Sequence, residues 1–351
     1  MRVIHLLNTG SYSGAENVAI TIIKSMRKYN DVENFYVSLD GPIRQILENE
    51  KINFIAVNKV NVKNIKRVIK KYKPDIIHAH DYTTSIIAFL CFSHLKIISH
   101  LHNNSPWLKK RGIFSYAYFL ASHSFSKIFT VSKSIEYEYV FSKYIAHKIQ
   151  CIDNPIDINI VQQKAMEYEI DEQYDLIYLG RLTKQKNPDL LLDIIDQLVK
   201  KKANIQIAVV GSGELFKDFQ QEIIRKKFQR NVKLYGFIEN PYPILKKSKV
   251  LCLPSKWEGY GLVAIEALAL GVPVVCSGAG GLSNIVDECC GAICLFDVKK
   301  YLQEILSLLS NDEYYKNKQF AAIEKAKKIN NISSYIENIY LNYKNIIEGD
   351  I

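Results

Sequence analysis

Short runs of β-branched and aliphatic residues alternate with longer helix-compatible stretches along this chain, and the alternation starts twice. Arg2–Leu7, Asn34–Leu39, Phe54–Val57, Ile76–Ala79, Lys96–Leu101 and Lys127–Val131 read as strands. Between them, apolar residues fall at helical spacing, as with Val18, Ile22, Ile23 and Met26 inside Ala15–Lys28, and in the basic stretch Val62–Tyr72. The pattern breaks at Ile152-Asp-Asn-Pro-Ile-Asp157 and leaves a join within residues 152–173. It resumes with Tyr174–Leu179, Ile205–Val210, Val232–Gly236, Val250–Pro254 and Pro273–Cys276. Pro188 suits a first helical position ahead of Leu190–Lys202. A last helix is expected over Ser333–Ile347, with Ile336, Ile339, Tyr340 and Tyr343 on one face. Repetition of this kind implies parallel sheets covered by helices on both faces. The chain is therefore expected to be α/β, in two units, and its 351 residues favour two domains over one.

No apolar run reaches the roughly 18 to 20 residues needed to span a bilayer. The N-terminus passes from Val3–Leu7 straight into Asn8-Thr9-Gly10 without the pattern of a secretory leader, so a cytoplasmic location is expected. The seven cysteines form no CxxC pair, which favours reduced, mostly buried thiols over disulfides or zinc. Charge is lopsided. Residues 1–155 carry 21 Lys and Arg against 11 Asp and Glu, whereas residues 156–351 carry 25 of each sign. A basic first half suits an anionic partner such as phospholipid, nucleic acid or a phosphorylated acceptor; it also suits a merely solvated lysine-rich surface.

In open α/β sheets, ligands bind at the carboxyl ends of strands, and the motifs fall there. Gly10-Ser-Tyr-Ser-Gly14-Ala-Glu16 follows the first strand but lacks the G-x-G-x-x-G spacing of a dinucleotide site. It reads as a close approach to a ligand at a helix N-terminus or as a plain tight turn. Gly180-Arg-Leu-Thr-Lys-Gln-Lys-Asn-Pro188 follows the first strand of the second unit. Arg181 and Lys186 beside a helix N-terminus suit a diphosphate, or the loop is simply exposed and basic. Ser255-Lys-Trp-Glu-Gly-Tyr-Gly261 leads into a helix from Leu262 that Gly271 and Pro273 end. Glu266 lies in the early turns of that helix, where the dipole favours a carboxylate by about 0.3 to 1 kcal/mol. It needs hydrogen-bond partners, from protein or from ligand hydroxyls. Strand, glycine loop, helix and a second glycine loop, Gly278-Ala-Gly-Gly281, in series are far more specific than two glutamates eight apart.

The stretch Gly180–Val286 resembles the retaining nucleotide-sugar glycosyltransferases of family 4, as found among bacterial polysaccharide, O-antigen and capsule enzymes. The resemblance rests on GRLTKQKN, Gly236-Phe237-Ile238, SKWEGYGLVAIEALALGVPVV and GAGGLSNIV. Weaker matches are SGAE (13–16), DIIHAH (75–80), His100-Leu-His102-Asn103 and TVSKSI (130–135). It implies a GT-B fold, two Rossmann-like domains facing a central cleft. The first, acceptor-binding domain would take residues 1–160 and the second, donor-binding domain 161–330; a C-terminal helix in 331–351 would pack back on the first. It further implies that Arg181 and Lys186 bind the donor diphosphate, Glu258 the hydroxyls of the transferred sugar and Glu266 the ribose. Phe237 and Ile238 would flank the base. Gly259, Tyr260, Gly261, Leu262 and Val263 would face sugar and phosphate with their backbone. Gly14 would border the cleft, and His102 would stand near the reacting carbon as a catalytic residue with Glu258, with His80 and His100 as competitors. Two departures stand out. Asn284 occupies a position where the family often has Glu, and no role is assigned to it. Pro155 stiffens the joint at Asn154-Pro-Ile-Asp157.

Departure of a nucleoside diphosphate builds negative charge that Arg181, Lys186 and a helix N-terminus would stabilise without a metal. No D-x-D pair stands at a strand end, so neither metal nor cofactor is expected; retention at the anomeric carbon comes from the resemblance alone. Trp107–Leu120 mixes a basic cluster with aromatics. It reads either as a segment lying on an anionic membrane surface, with a lipid-linked or oligosaccharide acceptor, or as a core helix with a solvated end. The expected activity is transfer of a sugar from a UDP- or GDP-linked donor. A GT-B-fold epimerase or phosphorylase is the alternative. A nucleic-acid-binding protein leaves the glutamate and glycine constellation unexplained, and a dehydrogenase lacks its fingerprint.

Overall fold

A computed structural model of the chain describes residues 1–91, 95–103 and 105–349. The chain divides into two compact units, Met1–Pro155 with Ile332–Ile351, and Ile156–Asn331. The first division falls a few residues before the boundary suggested by the sequence. Asp157 explains why: its carboxylate accepts from the backbone N–H of Asn159 and Ile160 and caps the helix Ile158–Lys164, which packs on helices of the second unit.

The first unit holds seven strands: β1 (Arg2–Leu6), β2 (Glu33–Leu39), β3 (Phe54–Val57), β4 (Ile76–Ala79), β5 (Lys96–Leu101), β6 (Lys127–Thr130) and β7 (Ile149–Cys151). They pair in parallel in the order β3-β2-β1-β4-β5-β6-β7. The second unit holds β8 (Tyr174–Leu179), β9 (Ile207–Val210), β10 (Val232–Gly236), β11 (Ser248–Leu253), β12 (Val274–Cys276) and β13 (Gly291–Ile293). Their order is β10-β9-β8-β11-β12-β13, again parallel. Both sheets wind outward in two directions from a central pair. The switch points, where ligands bind in such sheets, lie between β1 and β4 and between β8 and β11.

Each unit buries its own core. In the second, Leu176 and Tyr178 of β8, Ile207 and Val209 of β9 and Val250 and Cys252 of β11 pack with Ile194 and Leu198 of the helix Pro188–Lys201, and with Tyr301 and Ile305 of the helix Val298–Ser310. In the first, Leu7 and Tyr36 pack with Ala19, Ile20 and Ile23 of the helix Gly14–Met26. The helix Ile332–Glu348 carries buried Tyr335, Ile336, Ile339, Tyr343 and Ile346. On it Tyr340 stacks on Tyr29 with ring centroids 3.7 Å apart, and Asn338 accepts from Gln150 at 3.1 Å. All seven cysteines are free thiols, and five are buried. Among the described residues, no helix is long and apolar enough to cross a membrane.

Candidate active site

At the second unit's switch point, β8 runs out into Gly180–Asn187 and β11 into Pro254–Gly261. The sheet order sets these two loops side by side, and they are stitched together. The Lys256 N–H donates to the Gln185 carbonyl at 2.8 Å, the Gln185 amide to the Trp257 carbonyl at 3.0 Å, and the Asn187 amide to the Pro254 carbonyl at 3.2 Å. Between these bonds the Lys186 ammonium meets Glu258 Oε1 at 2.5 Å, with side chains only 15% and 8% exposed. Ser255 Oγ donates to the same carboxylate oxygen at 2.8 Å. Oε2 takes part in neither bond. The arrangement is thus a buried ion pair with one face of the carboxylate left over. Arg181 is exposed, and its carbonyl is held by the Tyr178 hydroxyl at 2.8 Å.

The second glycine loop presses directly on this one. Gly280 adopts φ +58°, and a Cβ there would stand 1.8 Å from the Glu258 carbonyl oxygen; at Gly281 it would stand 2.4 Å from that of Tyr260. The Gly281 N–H donates to the Gly259 carbonyl at 3.1 Å. Backbone against backbone is a contact only glycine permits. Gly261, at φ +100°, turns the chain into the helix Leu262–Ala269, with Leu262 and Val263 in its first turn. Gly259 and Tyr260 are buried.

Glu266 lies in the second turn of that helix. Burial pushes its carboxyl up to about 7, against the opposing effects of the Tyr242 hydroxyl at 3.1 Å and the Lys164 charge. The Tyr242 hydroxyl is a protein partner of the kind the buried carboxylate was expected to need, and desolvation outweighs it. Phe237 and Ile238 follow β10, which ends at Gly236 with φ +69°. Phe237 is 59% exposed.

Gly14 and His102, with its competitors His80 and His100, belong to the first unit, the remaining sequence-predicted site residues to the second. Gly14 opens the helix Gly14–Met26, and a Cβ there would meet nothing within 4 Å. By contrast, Gly10 abuts the Asp40 carbonyl, so only the latter glycine is required by packing within the chain. Glu16 ties the turn by accepting from Thr9 Oγ1 at 3.1 Å and from Ser13 Oγ.

His102 follows β5 and belongs to a group of five histidines at the first switch point, with His5 of β1, His78 and His80 at the end of β4, and His100 of β5. The rings bond to one another. His5 Nδ1 meets His80 Nε2 at 3.0 Å, His80 Nδ1 meets His102 Nε2 at 3.0 Å, and His78 Nε2 meets His100 Nδ1 at 3.1 Å. Burial holds His5 down to about 4 and His102 to about 3, and lowers the other three as well. His5, His78 and His80, and likewise His80, His100 and His102, offer nitrogens within 4.8 Å of one another, as a metal would need. Both nitrogens of His80 are engaged by neighbouring rings, so a metal at either set would have to break one of those bonds.

Sequence reasoning did not single out Ser255, Tyr242, His5 or Asn34. The histidines had a signal: in His78-Ala-His80 and His100-Leu-His102 the alternate positions of a strand share one sheet face.

A family model described as Glycosyl transferases group 1 matches residues 162–329, and a second, Glycosyltransferase Family 4, matches residues 12–160. The chain belongs to the group 1 glycosyltransferases. It is 25% identical to the O-antigen biosynthesis glycosyltransferase WclY of Escherichia coli, over 97% of this chain and 98% of that one. It is 30% identical to the uncharacterized glycosyltransferase MJ1059 of Methanocaldococcus jannaschii over 236 residues, which are 60% of this chain and 57% of that one. Among solved structures, Anabaena Alr3699/HepE in complex with UDP-glucose matches with a TM-score of 0.85 at 19% identity, over 98% of this chain and 99% of that one. That likeness is one of fold, the GT-B fold, and the two parallel sheets of this glycosyltransferase are its two domains.

Proposed function

We propose that this glycosyltransferase moves a sugar from a UDP- or GDP-linked donor to a glycan or lipid-linked acceptor, with retention and without a metal, in the synthesis of a cell-surface polysaccharide. The observation that carries the reading is the buried Lys186–Glu258 pair at the switch point of the second unit. A buried ion pair is weak evidence for stability and is better understood as a site whose charges are placed for a ligand. In this reading Lys186 and Arg181 take the diphosphate, where negative charge grows as the bond from the anomeric carbon to oxygen breaks. Glu258 takes hydroxyls of the sugar, Glu266 the ribose hydroxyls, and Phe237 and Ile238 the base. The backbone of Gly259–Val263 faces sugar and phosphate. Gly14, whose missing side chain the chain itself does not require, borders the substrate, and His102 stands by the reacting carbon. The name of WclY and the UDP-glucose bound to HepE support the substrate class.

Peripheral attachment to the inner membrane face is part of the same reading. The helix Ile113–Ser122 exposes Ile113, Phe114, Tyr116 and Leu120, and exposed Lys110 and Arg111 precede it. Apolar residues flanked by cations suit an anionic lipid surface.

A donor screen tests the function. With UDP- and GDP-sugars and a lipid-linked or oligosaccharide acceptor, nucleotide release should require acceptor. It should vanish in Glu258→Ala and Lys186→Ala and persist in Cys290→Ser. Conversion of the nucleotide-sugar into its epimer with no net nucleotide release would point to the epimerase alternative, and a requirement for inorganic phosphate to the phosphorylase. Thermal stabilisation by NAD or RNA alone would sink the reading.

A further inference from the structure

The hydrogen bonds among the histidines have a direction, and one residue sets it. Asn34 of β2 lies 9% exposed, with its amide oxygen 3.1 Å from His5 Nε2. An amide oxygen only accepts, so His5 carries its proton on Nε2. A neutral imidazole has one donor nitrogen and one acceptor nitrogen. His5 Nδ1 is therefore bare, and the bond to His80 is donated by His80 Nε2. The same logic bares His80 Nδ1 and puts the proton of His102 on Nε2. His102 Nδ1 is left as a lone pair, and it is a buried nitrogen without a partner among the described residues.

The rings stay neutral because their hydrogen-bond partners among the described residues are one another, Asn34 and Tyr343, with no carboxylate in the set. Burial also disfavours the imidazolium form. A second set shows what Asn34 contributes. His78 Nδ1 meets the Tyr343 hydroxyl at 2.6 Å and His78 Nε2 meets His100, but a hydroxyl both donates and accepts, so it fixes no tautomer.

We propose that Asn34 is a positioning residue which, through His5 and His80, fixes His102 as the Nε2–H tautomer and keeps its Nδ1 an acceptor for an O–H donor of the ligand. The effect on turnover rests on the placement of His102 beside the substrate proposed above. The tautomer does not.

Nitrogen-15 spectra of the full chain labelled at histidine test the two parts separately. At neutral pH the ring nitrogens of His5, His80 and His102 should each show a protonated Nε2 and a bare Nδ1. In Asn34→Leu, close in size but without an acceptor, the His102 signals should move toward a mixture of tautomers, with kcat about ten- to a hundredfold lower and donor KM little changed. A protonated Nδ1 on His102 of the unaltered chain, or His102 signals indifferent to Asn34→Leu, overturns the proposal. The unaltered chain decides the first point even where the variant folds poorly. Tautomers as described with turnover untouched by Asn34→Leu would uphold the relay and refute the placement of His102 at the reacting carbon.

Discussion

In the proposed ribose site Glu266 has to be ionised to accept two hydroxyls, yet in the free protein burial lifts its carboxyl to about 7. A raised folded-state value favours the protonated form, so its contribution to stability is full below about 4.5 and is lost as pH rises through about 7. A ligand that needs the carboxylate binds against this preference. Affinity for a nucleotide-sugar, whose diphosphate ester does not titrate in this range, should be about tenfold weaker at pH 6 than at pH 8. Calorimetry at the two pH values measures this, and Glu266→Gln should abolish the difference; an unchanged slope in that variant would remove Glu266 from the ribose site. Glu258 and Lys186 were both named as candidate site residues from the sequence, but their pairing was not legible there. They are neighbours because β8 pairs with β11, and sheet order is set by how whole elements pack. For the same reason Tyr242, far from Glu266 in the chain, could not be seen as its partner.

The glycine loops act as elements. Gly280 sits at φ +58° with no room for a Cβ against Glu258, whereas Gly14 has open space around it. Gly280→Ala should therefore cost at least about 2 kcal/mol of stability, from left-handed strain and overpacking, and should weaken donor binding as the Glu258 loop shifts. Gly14→Ala should leave the melting temperature unchanged or slightly higher while slowing transfer; paired thermal melts and turnover assays check both. Elements with a strong local signal were readable in advance: β3, β4, β5, β8 and β10 have the bounds their β-branched runs suggest. The short edge strands β7 and β13 were not, because three residues, one of them Gly291, carry no periodicity. The run Ile205–Val210 begins as strand only at Ile207, since the Asn231 side chain takes the Ile205 carbonyl at 3.0 Å before the ladder can.

Across the whole molecule the basic excess of residues 1–155 and the exposed face of Ile113–Ser122 act on one length scale, that of a charged surface. Sedimentation with phosphatidylglycerol vesicles should be strong at low salt and fall steeply once the screening length drops below about 5 Å. Lys110→Glu with Arg111→Glu should weaken it by about a hundredfold or more, at about 1 kcal/mol for each charge removed and as much again for each reversed. Equal binding to neutral vesicles would argue against the surface. Residues 1–155 are translated first, but their unit includes the helix Ile332–Glu348, which supplies the Tyr343 hydroxyl to His78 and the ring that stacks on Tyr29. The unit from Ile156 to Asn331 is contiguous. As a chain grows from its N-terminus, the unit begun second has all its parts before the unit begun first, which must wait on the ribosome for its closing helix.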